Sequence, residues 1–180
     1  MAAETRPFEA AGVLLDRLTR VQPDFPIPGV LFRDLTPVLA NPEGLRTVAA
    51  AMADVAGPVD LVAGIEARGF LLAGPVALLA GCGMVAIRKA GKLAGELLAQ
   101  EYALEYGTAT LELNPLDVPD GARVLLVDDV LATGGTAAAA ARLITRAGGS
   151  VAGLACCIEL IELGGRAALP DVPVFPLRRY

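Results

Sequence analysis

Short apolar runs alternate along the chain with segments in which a helix is expected. Four such runs have the length and continuity of strands buried on both faces, and they cover residues 61–65, 84–87, 123–127 and 151–158. Helices are predicted at 69–80 and 137–147. This alternation predicts an α/β fold with a mostly parallel twisted sheet and helices on both faces. Glu66, Arg88 and Asp128 fall at the carboxyl ends of strands, where the sites of such folds lie.

Two further helices are predicted before the first of these strands. Residues 13–18 are typical of a short amphipathic helix that ends before the proline-rich stretch 23–28. Residues 41–43 (Asn-Pro-Glu) supply an N-cap, a first-turn proline and a first-turn acid, and Gly-Pro at 57–58 ends that helix. From residue 88 to 114 the chain becomes polar and is interrupted by glycines.

The 19 residues from 69 to 87 carry no charge, which is long enough to raise the possibility of a membrane span. Glycine and proline residues would break one continuous helix there, whereas a buried helix, a Gly-Cys-Gly turn and a strand use all of them. We therefore expect no membrane segment. With 180 residues, 54% hydrophobic positions and no internal repeat or linker, the chain is predicted to form a single domain, residues 1–180.

Charge and composition exclude several function classes. The chain contains 15 Lys and Arg against 20 Asp and Glu, a net charge of −5, which argues against general nucleic-acid binding. The absence of histidine excludes imidazole-dependent catalysis and leaves acid-base chemistry to carboxylates, Lys or Tyr. Three cysteines without a paired spacing, and a first segment (MAAETRPFEA) without an apolar core, predict reduced thiols and a cytoplasmic location.

The most informative segment is VLLVDDVLATGGT, residues 124–136. A buried strand is followed by two carboxylates, a Gly/Thr loop and the start of a helix, whose backbone N–H groups can bind a phosphate. The Walker A and dinucleotide-binding patterns are both absent. Asp128 and Asp129 would repel a phosphate unless they bind sugar hydroxyls or a divalent metal, so a ribose 5-phosphate satisfies both halves of the motif. The competing interpretation is an Asp pair that caps the next helix beside an ordinary Gly-Gly turn.

This segment resembles the phosphoribosyl pyrophosphate (PRPP) signature of the type I phosphoribosyltransferases. Further segments resemble the adenine-specific members of that family: FPIPGVLFRDLTPVL at 25–39, IEARGF at 65–70, IRKAGKL at 87–93 and YALEYG at 102–107. The resemblance spans almost the whole chain. It implies a Rossmann-like type I fold with a small N-terminal hood (1–40) that binds the base and a flexible flap (88–107).

The resemblance also implies a role for each matching position. For the ribose phosphate of PRPP, these positions are Asp128, Asp129, Ala132, Thr133, Gly134, Gly135 and Thr136. For the diphosphate, they are Glu66, Ala67, Arg68, Arg88, Lys89 and Lys92. In that family the peptide bond between the first two residues of the latter group is commonly cis. The residues from Arg88 to Lys92 also form the densest basic cluster of an acidic chain, as a released diphosphate requires.

Catalysis and base recognition are assigned on the same ground. Attack of adenine N9 on the anomeric carbon needs proton transfer on the purine ring, and a carboxyl group near N7 can serve. Glu105 matches the family's catalytic segment, and Tyr106 in the flap covers the sugar or orients the phosphate. Leu31, Phe32 and Arg33 border the adenine, although Phe32 is equally consistent with a plain core position.

The implied reaction joins adenine to the ribose 5-phosphate of PRPP in purine salvage and releases diphosphate and AMP. It implies Mg²⁺, held mainly through PRPP oxygens with no dedicated protein ligand, and a homodimer. Two alternatives stay open. One is a 6-oxopurine as substrate, and the other is a non-catalytic regulator that keeps the fold to sense PRPP or purines.

Overall fold

The structure is a computed structural model that describes residues 7–103 and 107–180. Within these residues, helices and strands follow one another in this order: α1 (Pro7–Leu18), β1 (Arg20–Pro23), β2 (Leu31–Asp34), α2 (Thr36–Ala40), α3 (Pro42–Asp54), β3 (Leu61–Ile65), α4 (Gly69–Ala80), β4 (Gly83–Lys89), β5 (Leu98–Ala103), β6 (Thr108–Leu113), β7 (Arg123–Leu131), α5 (Gly135–Arg146), β8 (Ser150–Glu159) and β9 (Val174–Arg179). Short 3₁₀ turns lie at 115–117, 161–163 and 165–168.

The main sheet confirms the predicted α/β class. Seven strands pair in the order β5-β6-β4-β3-β7-β8-β9. The five strands from β4 to β9 in this order are parallel, whereas β6 pairs antiparallel with both β4 and β5. A separate antiparallel pair of β1 and β2 belongs to the segment that was expected to bind the base.

Two apolar cores cover the two faces of the sheet, because successive side chains of a strand point to opposite sides. Val124 and Leu126 pack with α5 in one core, and Leu125 and Val127 pack with α1, α3 and α4 in the other. Of the four apolar strands predicted from their lack of alternation, β3, β7 and β8 are buried on both faces. The prediction of a buried strand at 84–87 is wrong for one face, because β4 buries only Val85 and Ile87 and leaves Met84 exposed.

The predicted elements are confirmed with some changes of length. The observed α4 and β3 have the same first and last residues as the predicted helix 69–80 and the predicted strand 61–65. The side chain of Asn41 accepts a hydrogen bond from Gly44 N at 2.9 Å, as expected of an N-cap. The first helix begins at Pro7 rather than at residue 13, since its earlier turns bury Ala11 against the sheet.

β7 is longer than predicted. It continues to Leu131, because its ladder with β8 pairs Asp128 with Cys156 and Leu131 with Glu159. Asp128 and Asp129 thus lie within the strand and do not follow it.

No helix among the described residues has the length and apolar character needed to cross a membrane.

Candidate active site

A cavity of about 500 Å³ opens at the carboxyl ends of β3 and β7. This is the edge of the sheet at which ligands bind in parallel α/β folds. The cavity is lined by Val30, Leu31, Phe32, Arg33, Glu66, Ala67, Arg68, Lys89, Tyr102, Asp128, Asp129, Val130, Ala132, Thr136, Ile158 and Leu160. The expected base-binding, diphosphate-binding and ribose-binding segments therefore meet in one place.

The loop between β7 and α5 forms a second, smaller cavity of about 80 Å³ beside the first. Asp128, Ala132 and Thr136 contribute to both, and Thr133 and Gly134 line the smaller one. Gly134 has a φ of +83°, a conformation that glycine adopts without steric cost, and no side chain caps the helix that follows. The first N–H groups of α5 are thus left for an anion at this helix N-terminus.

Asp128 and Asp129 are neighbours that point into different environments. Asp129 is buried, and its carboxylate accepts a hydrogen bond from the Arg68 guanidinium at the start of α4. Asp128 accepts one from the backbone N–H of Asp129 at 2.9 Å. Burial, followed by the charge of Asp129, raises the pKa of Asp128 well above its ordinary value. Hydrogen bonds from hydroxyl groups, such as those of a ribose, would stabilise the ionised form of this carboxyl group.

The loop after β3 presents a second charged group. The peptide bond between Glu66 and Ala67 is cis, as the family resemblance implied. Glu66 Oε2 accepts hydrogen bonds from Lys89 N at 2.9 Å and from Arg88 Nε at 3.3 Å. The first of these, together with the Arg88 charge, lowers the pKa of Glu66, which keeps it ionised. Gly69 follows closely, and a Cβ there would lie 2.6 Å from the carbonyl oxygen of Val127.

The β1–β2 pair forms the wall of the cavity opposite the loop between β7 and α5, residues 132–134, which we call the phosphate loop. Phe32 is half-buried, lines the cavity and contacts Phe25 edge to face, with ring centroids 5.1 Å apart. The Arg33 guanidinium lies over the Tyr180 ring at 3.7 Å from its centroid, and the Tyr180 hydroxyl donates to Asp16 Oδ1 at 2.9 Å. These contacts fix the wall to α1 and to the end of β9.

Some predicted site residues lie outside the two cavities. Arg88 is turned toward Glu66 and the carbonyl oxygen of Lys92, and Lys92 itself is exposed. Gly135 forms the first turn of α5 behind the loop. Glu105 and Tyr106, assigned to the flap, lie outside the described residues.

Five lining residues were missed from the sequence: Val30, Tyr102, Val130, Ile158 and Leu160. Val130 shares a face of β7 with Asp128, Ile158 lies near the end of the neighbouring strand β8, and Leu160 directly follows that strand. Once the strands are aligned at their carboxyl ends, the period of two along each strand points to these positions. Tyr102 carried no such signal, because β5 was not predicted as a strand.

The carboxylates of the cavity do not form an all-protein metal site. Within residues 7–103 and 107–180, no group of three or more His, Cys, Asp or Glu side chains is placed to hold a metal ion. The oxygen donors that are present suit Mg²⁺, which usually keeps several waters and takes other ligands from substrate phosphates.

Comparison with known proteins gives the same picture. The family model described as the phosphoribosyl transferase domain matches residues 35–171. The adenine phosphoribosyltransferase of Clavibacter sepedonicus is 58% identical over 163 residues, which cover 91% of this chain and 85% of that protein.

Solved structures agree in fold. The adenine phosphoribosyltransferase of Thermoanaerobacter pseudethanolicus has a TM-score of 0.88 at 41% identity and covers 92% of this chain and 98% of that chain. That of Saccharomyces cerevisiae, solved with adenine and an iminoaltritol bisphosphate, has a TM-score of 0.87 at 36% identity and covers 93% and 98%. The cavity, its PRPP signature and these matches lead to one conclusion: the chain belongs to the adenine phosphoribosyltransferase family.

Proposed function

We propose that the protein transfers the 5-phosphoribosyl group of PRPP to adenine and releases AMP and diphosphate, a purine-salvage reaction. The observation that carries this function is the meeting, in one cavity of about 500 Å³, of the phosphate loop, the Asp128–Asp129 pair, the loop after β3 and the wall from β2. A substrate with a phosphate, a sugar and a diphosphate needs these groups in this order. The adenine-bound yeast relative is consistent with the remaining wall as the base site.

Each group has a task in this reaction. Thr133, Thr136 and the N–H groups at the start of α5 bind the 5′-phosphate, with Ala132, Gly134 and Gly135 allowing its close approach. Asp128 and Asp129 accept hydrogen bonds from the ribose hydroxyls. The diphosphate lies toward the loop of residues 66–68 and the basic residues Arg88, Lys89 and Lys92.

The chemistry is a displacement at the anomeric carbon. The C1′–O bond to diphosphate breaks as the lone pair of adenine N9 forms the C1′–N9 bond. The single imidazole-ring proton of adenine, carried on N7 when N9 attacks, passes to the Glu105 carboxylate, so that AMP leaves without it. Tyr106 covers the sugar as the flap closes and excludes water. Leu31, Phe32 and Arg33 hold the purine, and backbone groups of this strand distinguish an amino edge from an oxo edge.

Mg²⁺ fits this site as a partner of the substrate. When bound, it neutralises diphosphate charge and supports departure of that group. Asp128 and Asp129 are cavity carboxylates that would hold such an ion beside the ribose, and the Arg68 guanidinium already pairs with Asp129.

We also propose a cytoplasmic homodimer. Cys156 and Cys157 are buried free thiols, and burial raises the pKa of both, which suits a reducing compartment. Large apolar side chains on the outer face of α4 are exposed, namely Leu71, Leu78 and Leu79. Exposed apolar groups on one helix face favour a protein contact there.

Conversion of labelled adenine to AMP in the presence of PRPP and Mg²⁺, with equimolar diphosphate, tests the function. Asp128→Asn is the control variant, and a chelator is the control for the ion. Binding of PRPP without any AMP formation would identify the protein as a sensor and contradict the assignment.

A further inference from the structure

A buried carboxylate outside the cavity organises the segment that follows β8. Glu159 ends this strand with its side chain only 4% exposed, and both of its oxygens are used. Arg166 donates to Oε1 at 2.6 Å and to Oε2 at 2.9 Å, and Arg179 donates to Oε2 at 3.0 Å. These hydrogen bonds, first among them those of Arg166, lower the pKa of Glu159 and keep it charged. A buried charge persists only with such partners.

Arg166 belongs to a turn that lies directly behind the phosphate loop. This backing turn comprises residues 164–168. A Cβ on Gly134 would lie 2.9 Å from the Cβ of Ala168 and 3.0 Å from the carbonyl carbon of Gly165. A Cβ on Gly165 would likewise meet Leu131 Cδ1 at 3.0 Å. The two backbones therefore touch without side chains between them, and neither can shift unless the other does.

The two arginines of Glu159 differ in what they hold. Arg179 lies in β9 opposite Glu159 in the parallel ladder, so its pairing adds to a contact that the sheet already makes. Arg166 lies in the backing turn, where its bidentate pair joins that turn to the end of β8. Both side chains are about half exposed, at 43% for Arg166 and 54% for Arg179. Either can be truncated without creating a cavity in the core.

We propose that Arg166, held by Glu159, is a positioning residue for the 5′-phosphate end of PRPP. The pair fixes the backing turn, the turn fixes Gly134, and Gly134 sets the direction of the N–H groups at the start of α5. The proposal rests on the proposed function in that it takes PRPP as the substrate. We therefore expect the loss of Arg166 to weaken binding at the phosphate end of the site and to leave adenine binding unchanged.

Arg166→Ala and Arg179→Ala form a matched pair, since each removes one cation from Glu159 and leaves the other. Steady-state kinetics with PRPP and adenine varied separately, together with calorimetric binding of ribose 5-phosphate, measure the effect. In Arg166→Ala we expect KM for PRPP and Kd for ribose 5-phosphate to rise about tenfold, with KM for adenine unchanged. In Arg179→Ala all three constants should stay within about twofold of the wild type. Arg166→Lys, which keeps one charged donor, should show the same selective change in smaller measure.

Thermal denaturation of both variants separates positioning from general destabilisation. A selective loss of ribose 5-phosphate affinity in Arg166→Ala, measured at a temperature at which both variants are fully folded, supports the proposal. Equal constants in the two alanine variants, or equal rises in KM for PRPP and for adenine, would overturn it. Absence of AMP formation by the wild type would contradict the proposed function alone, because ribose 5-phosphate binding still compares the two arginines.

Discussion

Asp128 and Asp129 show how a single residue step along a strand changes the state of a carboxyl group. Their side chains leave β7 on opposite faces. Among the described residues, Asp129 alone pairs with a cation, the Arg68 guanidinium, which acts on Asp128 only through its charge. Asp128 is left with a backbone N–H and the like charge of its neighbour, which together with burial raises its pKa. The free protein thus holds a carboxylate that lacks the partners which substrate hydroxyls would supply.

This difference predicts opposite effects on stability. Asp128→Asn should raise the Tm at neutral pH, because it removes the cost of ionising this half-buried carboxyl group and keeps the oxygen that accepts from Asp129 N. Asp129→Asn should lower the free energy of unfolding by about 1 kcal/mol, because it weakens the pair with Arg68. Thermal denaturation of the free proteins measures both. A lower Tm for Asp128→Asn at neutral pH would contradict the account.

The pH dependence of this gain has a definite sign. A raised pKa means that the folded wild type binds the Asp128 proton more tightly than the unfolded chain does, so its stability falls as pH rises through the interval between the two pKa values. The Asp128→Asn variant has no titrating group at this position, so its stability lacks this pH-dependent contribution. The Tm difference between Asp128→Asn and the wild type should therefore be largest above the raised pKa and close as the pH falls below the ordinary aspartate value.

Turnover separates the sugar site from the proton-transfer group. We expect Asp128→Asn to lower kcat/KM for PRPP roughly 100-fold, since a ribose whose hydroxyls have lost this carboxylate acceptor is not aligned for attack. Glu105→Gln should lower kcat by about 100-fold or more with PRPP binding retained, as removal of a general acid-base group does. Normal turnover in Glu105→Gln, with turnover lost in Asp128→Asn, would leave the sugar site standing and remove the role of Glu105.

At the scale of elements, the strand, loop and helix from β7 to α5 act as one unit. The strand delivers the carboxylates, the loop turns at Gly134, and the helix begins at Gly135 without a side-chain cap. Gly134 combines a positive φ with contact to the backing turn, whereas Gly57, in the loop after α3, has a φ of +64° and open space around it.

These two glycines supply a matched comparison. Alanine at either position costs about 1–2 kcal/mol of backbone energy. Gly134→Ala also forces its Cβ against Ala168 and should add about 1–3 kcal/mol of overpacking and abolish PRPP binding. Gly57→Ala should bind PRPP within a few-fold of the wild type, because Gly57 lies outside both the loop and the backing turn. Denaturant unfolding and calorimetry measure the pair, and equal PRPP affinities in the two variants would contradict the role of the loop.

The pattern of apolar residues predicted the sheet strands that carry continuous apolar runs, and missed β5, β6 and β9. β3, α4 and α5 carry continuous apolar or helical periodicity together with clear glycine or proline boundaries. β5 and β6 lie at the edge of the sheet with exposed charged positions, and β9 carries a proline that only an edge strand tolerates. Their pairing depends on distant strands, which local pattern does not report.

The candidate site likewise has residues that the sequence predicted and residues that it did not. The PRPP signature is contiguous, so seven of the residues between 128 and 136 were predicted together, and the structure places all of them except Gly135 around two adjoining cavities. Ile158, Leu160 and Tyr102 reach the cavity from other elements, and only the assembled sheet brings them there. The contacts of Arg166 with Glu159 were invisible in the sequence for the same reason.

At the scale of the whole molecule, the base-binding wall is linked to the far edge of the sheet. Arg33 stacks on Tyr180, whose backbone N–H donates to Glu159 O at 2.9 Å and whose hydroxyl donates to Asp16. The wall from β2 and the backing turn therefore share an anchor at the ends of β8 and β9. The cavity between them is held from both sides by the same part of the sheet.

The outer face of α4 provides a test of assembly. Leu78 is 83% exposed, so Leu78→Glu should leave the fold intact and shift the protein from dimer to monomer. Leu116, 89% exposed in the turn before β7, gives the matched control, and Leu116→Glu should stay dimeric. Sedimentation velocity measures both. A monomeric wild type, or a dimer in both variants, would contradict a contact through α4.

Parallel turnover of PRPP with adenine, hypoxanthine, guanine and xanthine measures which purine the base site selects. We expect AMP formation with kcat/KM at least about 1,000-fold above that for any 6-oxopurine, because a site that pairs with an amino edge leaves its own groups unpaired against an oxo edge. Turnover of a 6-oxopurine, with none of adenine, would contradict this expectation while leaving the PRPP site intact.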